Sequence, residues 1–279
     1  MLIKTGYDIA FETDSATPMS LLLSVHPSRQ GDLRSPERID FDPPIPQRQT
    51  LDAFGNVCTR IVAPPGRLTI SADFLVADTG RPDEVAADAA QVPVDALPDA
   101  VMLYLMASRY CDTDRLCGIA WQLFGRTPEG WGRVQAIVDY VHRHIRFDYQ
   151  RADATRTAFD GYTQKVGVCR DFAHLAIAFC RCMNIPARYC TGYLGDIGVP
   201  PVPDPMDFSA WFEVYLGGRW YTFDARHNTP RIGRIVMARG RDATDCALST
   251  SFGAARLVRF EVHTDAVADG VPADLMRAA

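Results

Sequence analysis

The residue best suited to chemistry is Cys169, which lies where a helix is predicted to begin. Downstream of residues 167–171, apolar residues recur at intervals of three and four, which predicts a helix that starts at Cys169 and ends before Pro186. The positive end of a helix lowers the pKa of a thiol and raises its thiolate fraction. Cys169 is therefore a candidate nucleophile, with a packed thiol as the alternative.

The other cysteines show no pattern of chemical use. The chain contains no CxxC pair, which argues against a disulfide framework and against a zinc site. Free cysteines usually behave as small buried hydrophobic residues, and the remaining seven are interpreted in this way. The eight cysteines are Cys58, Cys111, Cys117, Cys169, Cys180, Cys182, Cys190 and Cys246.

The predicted helix lies in a chain that begins with strands. Residues 1–78 include an alternating run at Arg67–Val76 and a hairpin signal at residues 52–56, which predicts a small antiparallel β domain. Residues 79–98 are rich in Asp, Ala, Pro and Gly without a clear period and are interpreted as a linker. Residues 99–279 are then the second domain.

Two elements of the second domain flank the cysteine helix. Residues 127–129, Thr-Pro-Glu, are typical of a helix start, and the helix that follows carries an apolar stripe from Val134 to Ile145. Residues 208–224 contain two predicted strands separated by Gly217-Gly218, a strong signal for a two-residue hairpin.

These segments together resemble the transglutaminase-like superfamily, whose members share the papain-like cysteine protease core. The similarity lies in residues 167–189, 210–216 and 218–224, and upstream in residues 134–149 and 157–167. The first 78 residues resemble the N-terminal domain often found on bacterial members. The resemblance implies an α+β fold in which a nucleophile helix packs on an antiparallel sheet, with a small β-sandwich-like N-terminal domain.

The resemblance also implies a catalytic triad of cysteine, histidine and aspartate. The cysteine of the family motif matches Cys169, and its aspartate matches Asp224, at the end of the second hairpin strand. The histidine should stand directly before Ala210-Trp211, where this chain has Ser209. The usual base is therefore missing, and a serine hydroxyl has too high a pKa to replace it at neutral pH.

Strand pairing places the remaining triad positions relative to one another. With Gly217-Gly218 as the turn, Leu216 pairs with Arg219, and Ser209 falls opposite Arg226. Because side chains alternate along a strand, Ser209 shares one face of the hairpin with Trp211 and Asp224.

Only one of the six histidines is a serious substitute base. His174 is five residues beyond Cys169 on the same helix and points elsewhere, and His142 and His144 are expected at the end of the preceding helix. His227 follows Asp224 by three residues. Strict alternation directs it away from Asp224, but a turn after Ala225 would bring it back; the alternative is a plain loop or packing histidine.

Other side chains are candidates for supporting roles. We expect the thiolate to depend on the helix dipole and on Arg170, and Arg170 to pair with Glu213. Tyr162, Gln164 and Trp211 are candidate substrate-binding residues, with packing or surface positions as the alternative.

Composition excludes several classes of partner. A net charge of -5 and a pI near 5.7 argue against a nucleic-acid binder, and no run of 18 apolar residues predicts a membrane span. The first ten residues lack the pattern of a signal peptide, so we expect a cytoplasmic protein. Nothing in the sequence implies a metal or other cofactor. Five arginines between Arg226 and Arg241 are interpreted as a solvated face of mixed charge or as an anion site.

The expected function is thiol-dependent acyl chemistry on a peptide or protein amide. A thioester on Cys169 would lead either to hydrolysis, as in a peptidase or amidase, or to acyl transfer. Because Ser209 replaces the histidine, two alternatives stay open: a catalytically inactive peptide-binding or scaffolding module, and a thiol-based sensor.

Overall fold

The computed structural model describes residues 1–202 and 206–267, and these form fourteen strands and five α-helices. The strands are β1 (Leu2–Thr13), β2 (Thr17–Leu21), β3 (Asp40–Asp42), β4 (Arg48–Leu51), β5 (Val57–Ala63), β6 (Gly66–Ala77), β7 (Arg146–Phe147), β8 (Val166–Gly167), β9 (Ala187–Tyr193), β10 (Ser209–Leu216), β11 (Arg219–Phe223), β12 (Ile235–Gly240), β13 (Ser249–Ser251) and β14 (Arg256–Ala266). The helices are α1 (Asp99–Met102), α2 (Thr113–Phe124), α3 (Trp131–His144), α4 (Ala158–Gln164) and α5 (Cys169–Cys182).

Two four-stranded antiparallel sheets share one apolar core in the N-terminal half. Their strand orders are β14-β1-β6-β3 and β13-β2-β5-β4. The alternation predicted for β6 is confirmed, because Leu68, Ile70, Phe74 and Val76 are all buried in this core. The chain thus has the mixed α and β architecture that the sequence predicts.

The last two strands belong to these N-terminal sheets. β14 pairs with β1 along almost its whole length, and β13 pairs with β2. The sequence prediction placed the same residues with the second domain, because alternation identifies a strand without identifying its partner. The polypeptide therefore returns from the helical half to complete both sheets.

A third sheet, ordered β11-β10-β9-β12, supports the central helix α5. α5 is buried from Asp171 to Cys182 and packs against β9 and β10 as well as the other long helices. On β10, the side chains of Ala210, Phe212, Val214 and Leu216 face the core that contains α5, whereas Trp211 lies on the opposite face. Sheet and helix thereby fix the start of α5 next to the start of β10.

The predicted hairpin is confirmed in its register. Leu216 pairs with Arg219, and Gly217 and Gly218 both have positive φ angles, of 56° and 90°, as a type I′ turn requires. Regular pairing ends at Phe212 and Phe223, so Asp224 lies just beyond the ladder.

Helix α3 has the predicted apolar stripe but a later start than predicted. Val134, Ile137, Val138 and Val141 are all buried. The helix begins at Trp131 because Gly130 adopts a φ of 71° that breaks the helical path, and the Thr127 hydroxyl donates to the Phe124 carbonyl, at the end of α2.

Residues 79–98 are anchored to the rest of the chain at several points. Asp83 accepts hydrogen bonds from Arg231 and Arg234, and the carbonyl groups of Ala89 and Ala90 accept from Trp131 and Gly217. Among the residues that the structure describes, no helix is both long and apolar enough to cross a membrane.

Candidate active site

The N-terminus of α5 is held by a buried charged cluster around Asp171. The Asp171 carboxylate accepts a hydrogen bond from the Val168 backbone N–H at 2.9 Å and pairs with Arg156 at 3.0 Å. A Cβ atom at Gly167 would lie 2.5 Å from the Asp171 carboxylate, so only glycine fits there. These contacts place Cys169 at the first position of the helix.

The Cys169 side chain is half-buried and lines a cavity of about 610 Å³ together with Asp207 and Ala210. Burial raises the pKa of the Cys169 thiol to about 11; the nearby Arg226 and the Ala210 N–H lower this pKa, and Asp207 raises it further. The pKa is therefore raised and not depressed as expected, because the loss of water around the sulfur is the largest influence on it. The thiol is protonated at neutral pH.

The cation beside Cys169 is Arg226 rather than the predicted Arg170. Arg226 lies over the ring of Phe147, 3.8 Å from its centroid, and this contact positions it. Arg170 instead contacts the carbonyl of Asp153 and the Asp171 carboxylate, so the predicted pair of Arg170 with Glu213 is also wrong.

The sequence contained one clue that Arg226 could lie near Cys169: the predicted hairpin register places residue 226 opposite Ser209.

Glu213 pairs with Arg188 and Arg239, both of which lie on the sheet that carries it. Arg231 and Arg234 are buried and paired with acidic residues, which excludes a solvated face at those two positions.

Asp224 is a buried carboxylate with four hydrogen-bond donors. Arg234 Nη2 and His227 Nδ1 each lie 2.9 Å from Asp224 Oδ2, and the backbone N–H groups of Arg226 and His227 donate to Oδ1. Burial alone would raise the pKa of Asp224, but Arg234 and His227 outweigh it and hold this pKa well below its usual range. Asp224 is therefore ionised at neutral pH.

His227 turns back onto Asp224, as the predicted turn after the strand allows and not as strict alternation directs. The strand ends at Phe223, and the N–H of Asn228 donates to the Asp224 carbonyl, which curls the chain into a turn. Because Asp224 is ionised, His227 Nδ1 donates to it and Nε2 remains available as an acceptor. The imidazole lines a second cavity, of about 430 Å³, which shares Asp207 and Phe208 with the cavity at Cys169.

Comparison with known proteins identifies the family. The model of the transglutaminase-like superfamily matches residues 120–225. A crystal structure of a "Putative Cysteine Protease" from Cytophaga hutchinsonii is 30% identical, covers 98% of this chain and 92% of that chain, and superposes with a TM-score of 0.82. The chain belongs to the transglutaminase-like superfamily. Similar sequences include two uncharacterized mycobacterial proteins.

One of these proteins, from Mycobacterium leprae, is 24% identical over an alignment of 216 residues, and the alignment covers 75% of this chain and 77% of that protein. The other, from Mycobacterium tuberculosis, is 29% identical over an alignment of 234 residues, and the alignment covers 75% of this chain and 73% of that protein.

Ser209, which the sequence predicts to stand in place of the superfamily's histidine, lies near this site. It is buried at the first position of β10, its carbonyl accepts from the Thr191 hydroxyl at 3.1 Å, and it lines the same cavity as His227. The site of this transglutaminase-like chain therefore brings Cys169, Ser209, Asp224 and His227 to one end of the sheet.

The three predicted substrate-binding residues lie outside the cavity at Cys169. Tyr162 stacks on His144 at 4.8 Å, Gln164 is exposed and accepts from Arg156, and Trp211 is buried under Arg234 at 5.0 Å. Their roles in binding substrate stay predictions.

The other histidines near the site have structural partners. His174 stacks on Tyr110, accepts from the Ala243 N–H, and has a pKa lowered to about 3 by burial. His142 and His144, in the last turn of α3, contact carbonyls of other segments. Among the residues that the structure describes, no imidazole forms a hydrogen bond with the Cys169 sulfur.

Proposed function

We propose that this transglutaminase-like chain catalyses acyl chemistry on a peptide or protein amide through a thioester on Cys169. The observation that carries the proposal is the hydrogen bond of 2.9 Å between His227 and Asp224. It orients an imidazole on the residue next to Arg226, whose charge acts on the Cys169 thiol. His227 is then the base in place of the missing histidine, Asp224 orients it, and Cys169 is the nucleophile.

The raised pKa of Cys169 makes the base necessary. In the first step the thiol proton passes to His227 Nε2 and the sulfur attacks the amide carbonyl carbon. The carbon–sulfur bond forms, the carbon–nitrogen bond breaks, and the leaving amine takes the proton from His227. Because Cys169 and His227 form no direct hydrogen bond in the described residues, the proposed proton transfer runs through a bridging water, which leaves the His227–Asp224 bond in place.

The second step regenerates the thiol. Water or a second amine loses a proton to His227 and attacks the thioester carbon; the carbon–sulfur bond breaks, and the sulfur recovers the proton. The Cys169 N–H, at the first position of α5, has no intrahelical acceptor and is the proposed donor to the oxyanion. Hydrolysis and transfer share this thioester and differ in the group that attacks it.

A non-catalytic peptide-binding or scaffolding role is the second candidate. It is favoured by the pKa of Cys169 near 11 and by the lack of a direct bond between thiol and imidazole among the described residues. The same pKa argues against a thiol sensor, because sensor cysteines need a low pKa.

The test is capture of the acyl-enzyme. The chain is incubated with a panel of peptide p-nitroanilides, and we expect release of p-nitroaniline together with an acyl adduct on Cys169 detected by mass spectrometry. Cys169→Ala should abolish both signals, whereas Cys117→Ala, at an exposed cysteine, should leave both unchanged. If only a Ser209→His variant forms the adduct, the native chain is a scaffold.

We also propose a cytoplasmic location, which the eight free cysteines support. Nucleic acid and membrane are not proposed as partners, in keeping with the net charge of -5.

A further inference from the structure

We propose that the acyl donor places an apolar side chain, aromatic or branched aliphatic, in the cavity beside Cys169, and that the N-terminal sheets supply part of this selectivity. The proposal rests on the proposed function, because it concerns the group that is transferred to Cys169. The cavity, of about 610 Å³, has the size of pockets that hold small ligands.

The N-terminal sheets form one wall of this cavity. Ile9 and Phe11 on β1, Leu23 after β2, and Leu257 and Phe260 on β14 all line it. Leu257 keeps 49% of its surface exposed, which places it at the rim of the cavity. The strands that return from the C-terminal half thus bring apolar side chains to the nucleophile.

The charged groups of the cavity are confined to the surroundings of Cys169. Arg170 is its neighbour in sequence, Asp153 contacts Arg170 through its carbonyl, and Asp207 acts on the thiol. The remaining wall includes Phe208, Leu248 and five alanines, and its polar side chains carry no formal charge; these are Tyr110, Tyr189, Thr191, Cys246 and Ser249. A charged side chain placed against that wall would lose its hydration without gaining a partner, whereas an apolar side chain would gain from burial.

The chemistry of the cavity therefore specifies two parts of the acyl donor, its carbonyl group and its side chain. The carbonyl group of the donor must lie at the Cys169 sulfur, and the adjoining side chain extends toward β1 and β14. A cavity that is only a gap between the two halves of the chain would show no such preference, and this alternative is one outcome of the test.

The first experiment compares matched p-nitroanilide donors that differ only in the residue next to the anilide. We expect kcat/KM for Phe and Leu donors to exceed the value for Gln, Glu and Lys donors by about tenfold or more, the scale on which apolar pockets discriminate. Equal values would overturn the inference while leaving the proposed function intact. Failure of every donor to form an acyl-enzyme would overturn both.

The second experiment fills the cavity. Ala247→Phe, at a partly exposed lining residue, should lower kcat/KM for the Phe donor about tenfold, and Ala247→Ser should leave it within twofold. Labelling of Cys169 by iodoacetamide, which is too small to use the apolar wall, should be unchanged in both variants. Leu257→Gln, at the exposed rim, provides an independent variant and should lower the preference for Phe over Gln severalfold. An unchanged preference in Leu257→Gln and Ala247→Phe would contradict the proposal.

Discussion

The two sides of the site, the start of α5 and the end of the β10–β11 hairpin, are built in different ways. At the helix start, the Asp171 carboxylate packs on Gly167 and accepts from the Val168 N–H, so the contacts on either side of Cys169 lie within five residues. At the hairpin end, Asp224 depends on Arg234, ten residues away and beyond a turn, and on the curl that returns His227. The thiol is thus positioned through backbone contacts at the start of its own helix, where Arg156 also pairs with Asp171, whereas the imidazole is positioned by a side-chain bond to a carboxylate that Arg234 also holds.

The two sides also differ in how neighbouring charges compensate for the burial of Asp224 and of Cys169. Asp224 keeps its negative charge because a guanidinium and an imidazole compensate for its burial. At Cys169 the cation that lowers the pKa is Arg226, and its effect does not compensate for burial. The Asp224 carboxylate is therefore ionised without help, because its hydrogen-bond donors compensate for burial. The Cys169 thiol is compensated only in part, so a base must remove its proton before it can act as a nucleophile.

The largest expected effect tests whether His227 is the base. His227→Gln should lower kcat/KM for amide donors by about 10²- to 10⁴-fold, the usual value of general-base assistance. Ser209→Ala should change it less than threefold, and His263→Gln, at a histidine on β14 outside the site, should be silent. The measurement is release of p-nitroaniline; equal losses in the first two variants would place the base elsewhere.

The pH dependence of thiol labelling tests the electrostatic contrast. The reactive species is the thiolate, and the pKa of Cys169 is raised to about 11, so labelling should rise about tenfold per pH unit from pH 7 to pH 10 and level off near pH 11. Cys117 is exposed and serves as the internal reference. At pH 7, iodoacetamide should label Cys169 more slowly than Cys117, as followed by peptide mass spectrometry. Preferential labelling of Cys169 at pH 6 would contradict the burial argument.

Because Gly167 packs closely against Asp171 at the start of α5, we expect that residue 167 cannot accommodate an added methyl group. Gly167→Ala should destabilise the fold by about 1–3 kcal/mol, because its Cβ would overlap the Asp171 carboxylate. Gly118→Ala is the matched control: it lies in α2 with nothing within 4 Å of the new Cβ and should stabilise the helix by up to about 1 kcal/mol. Urea unfolding measures both, and similar values would refute the local account.

The smallest expected effects have opposite signs and sharpen the assignment of charges at Cys169. Arg226→Gln removes the favourable cation and should slow iodoacetamide labelling at pH 8 by about threefold to tenfold. Asp207→Asn removes an anion and should accelerate it by a similar factor. If both variants shifted the rate in the same direction, the cause would be access to the sulfur rather than charge.

The sequence by itself determined the elements that depend on neighbouring residues. The start of α5, the stripe of α3 and the two-glycine hairpin all follow from propensities and periods that operate within a few residues, and the match to the superfamily follows from motifs in the same segments. The match to these motifs is what identified Cys169 and Asp224 as candidate members of one triad.

Tertiary structure decided what depends on distant partners. The pairing of β14 with β1, the choice of Arg226 over Arg170, and the raised pKa of Cys169 result from burial and from contacts between segments far apart in sequence. The return of His227 to Asp224 required a turn that strand alternation does not predict. The periodicity of a sequence specifies the face of a helix or strand on which a residue lies. Only tertiary packing specifies which charged groups lie near that face and how far it is exposed to water.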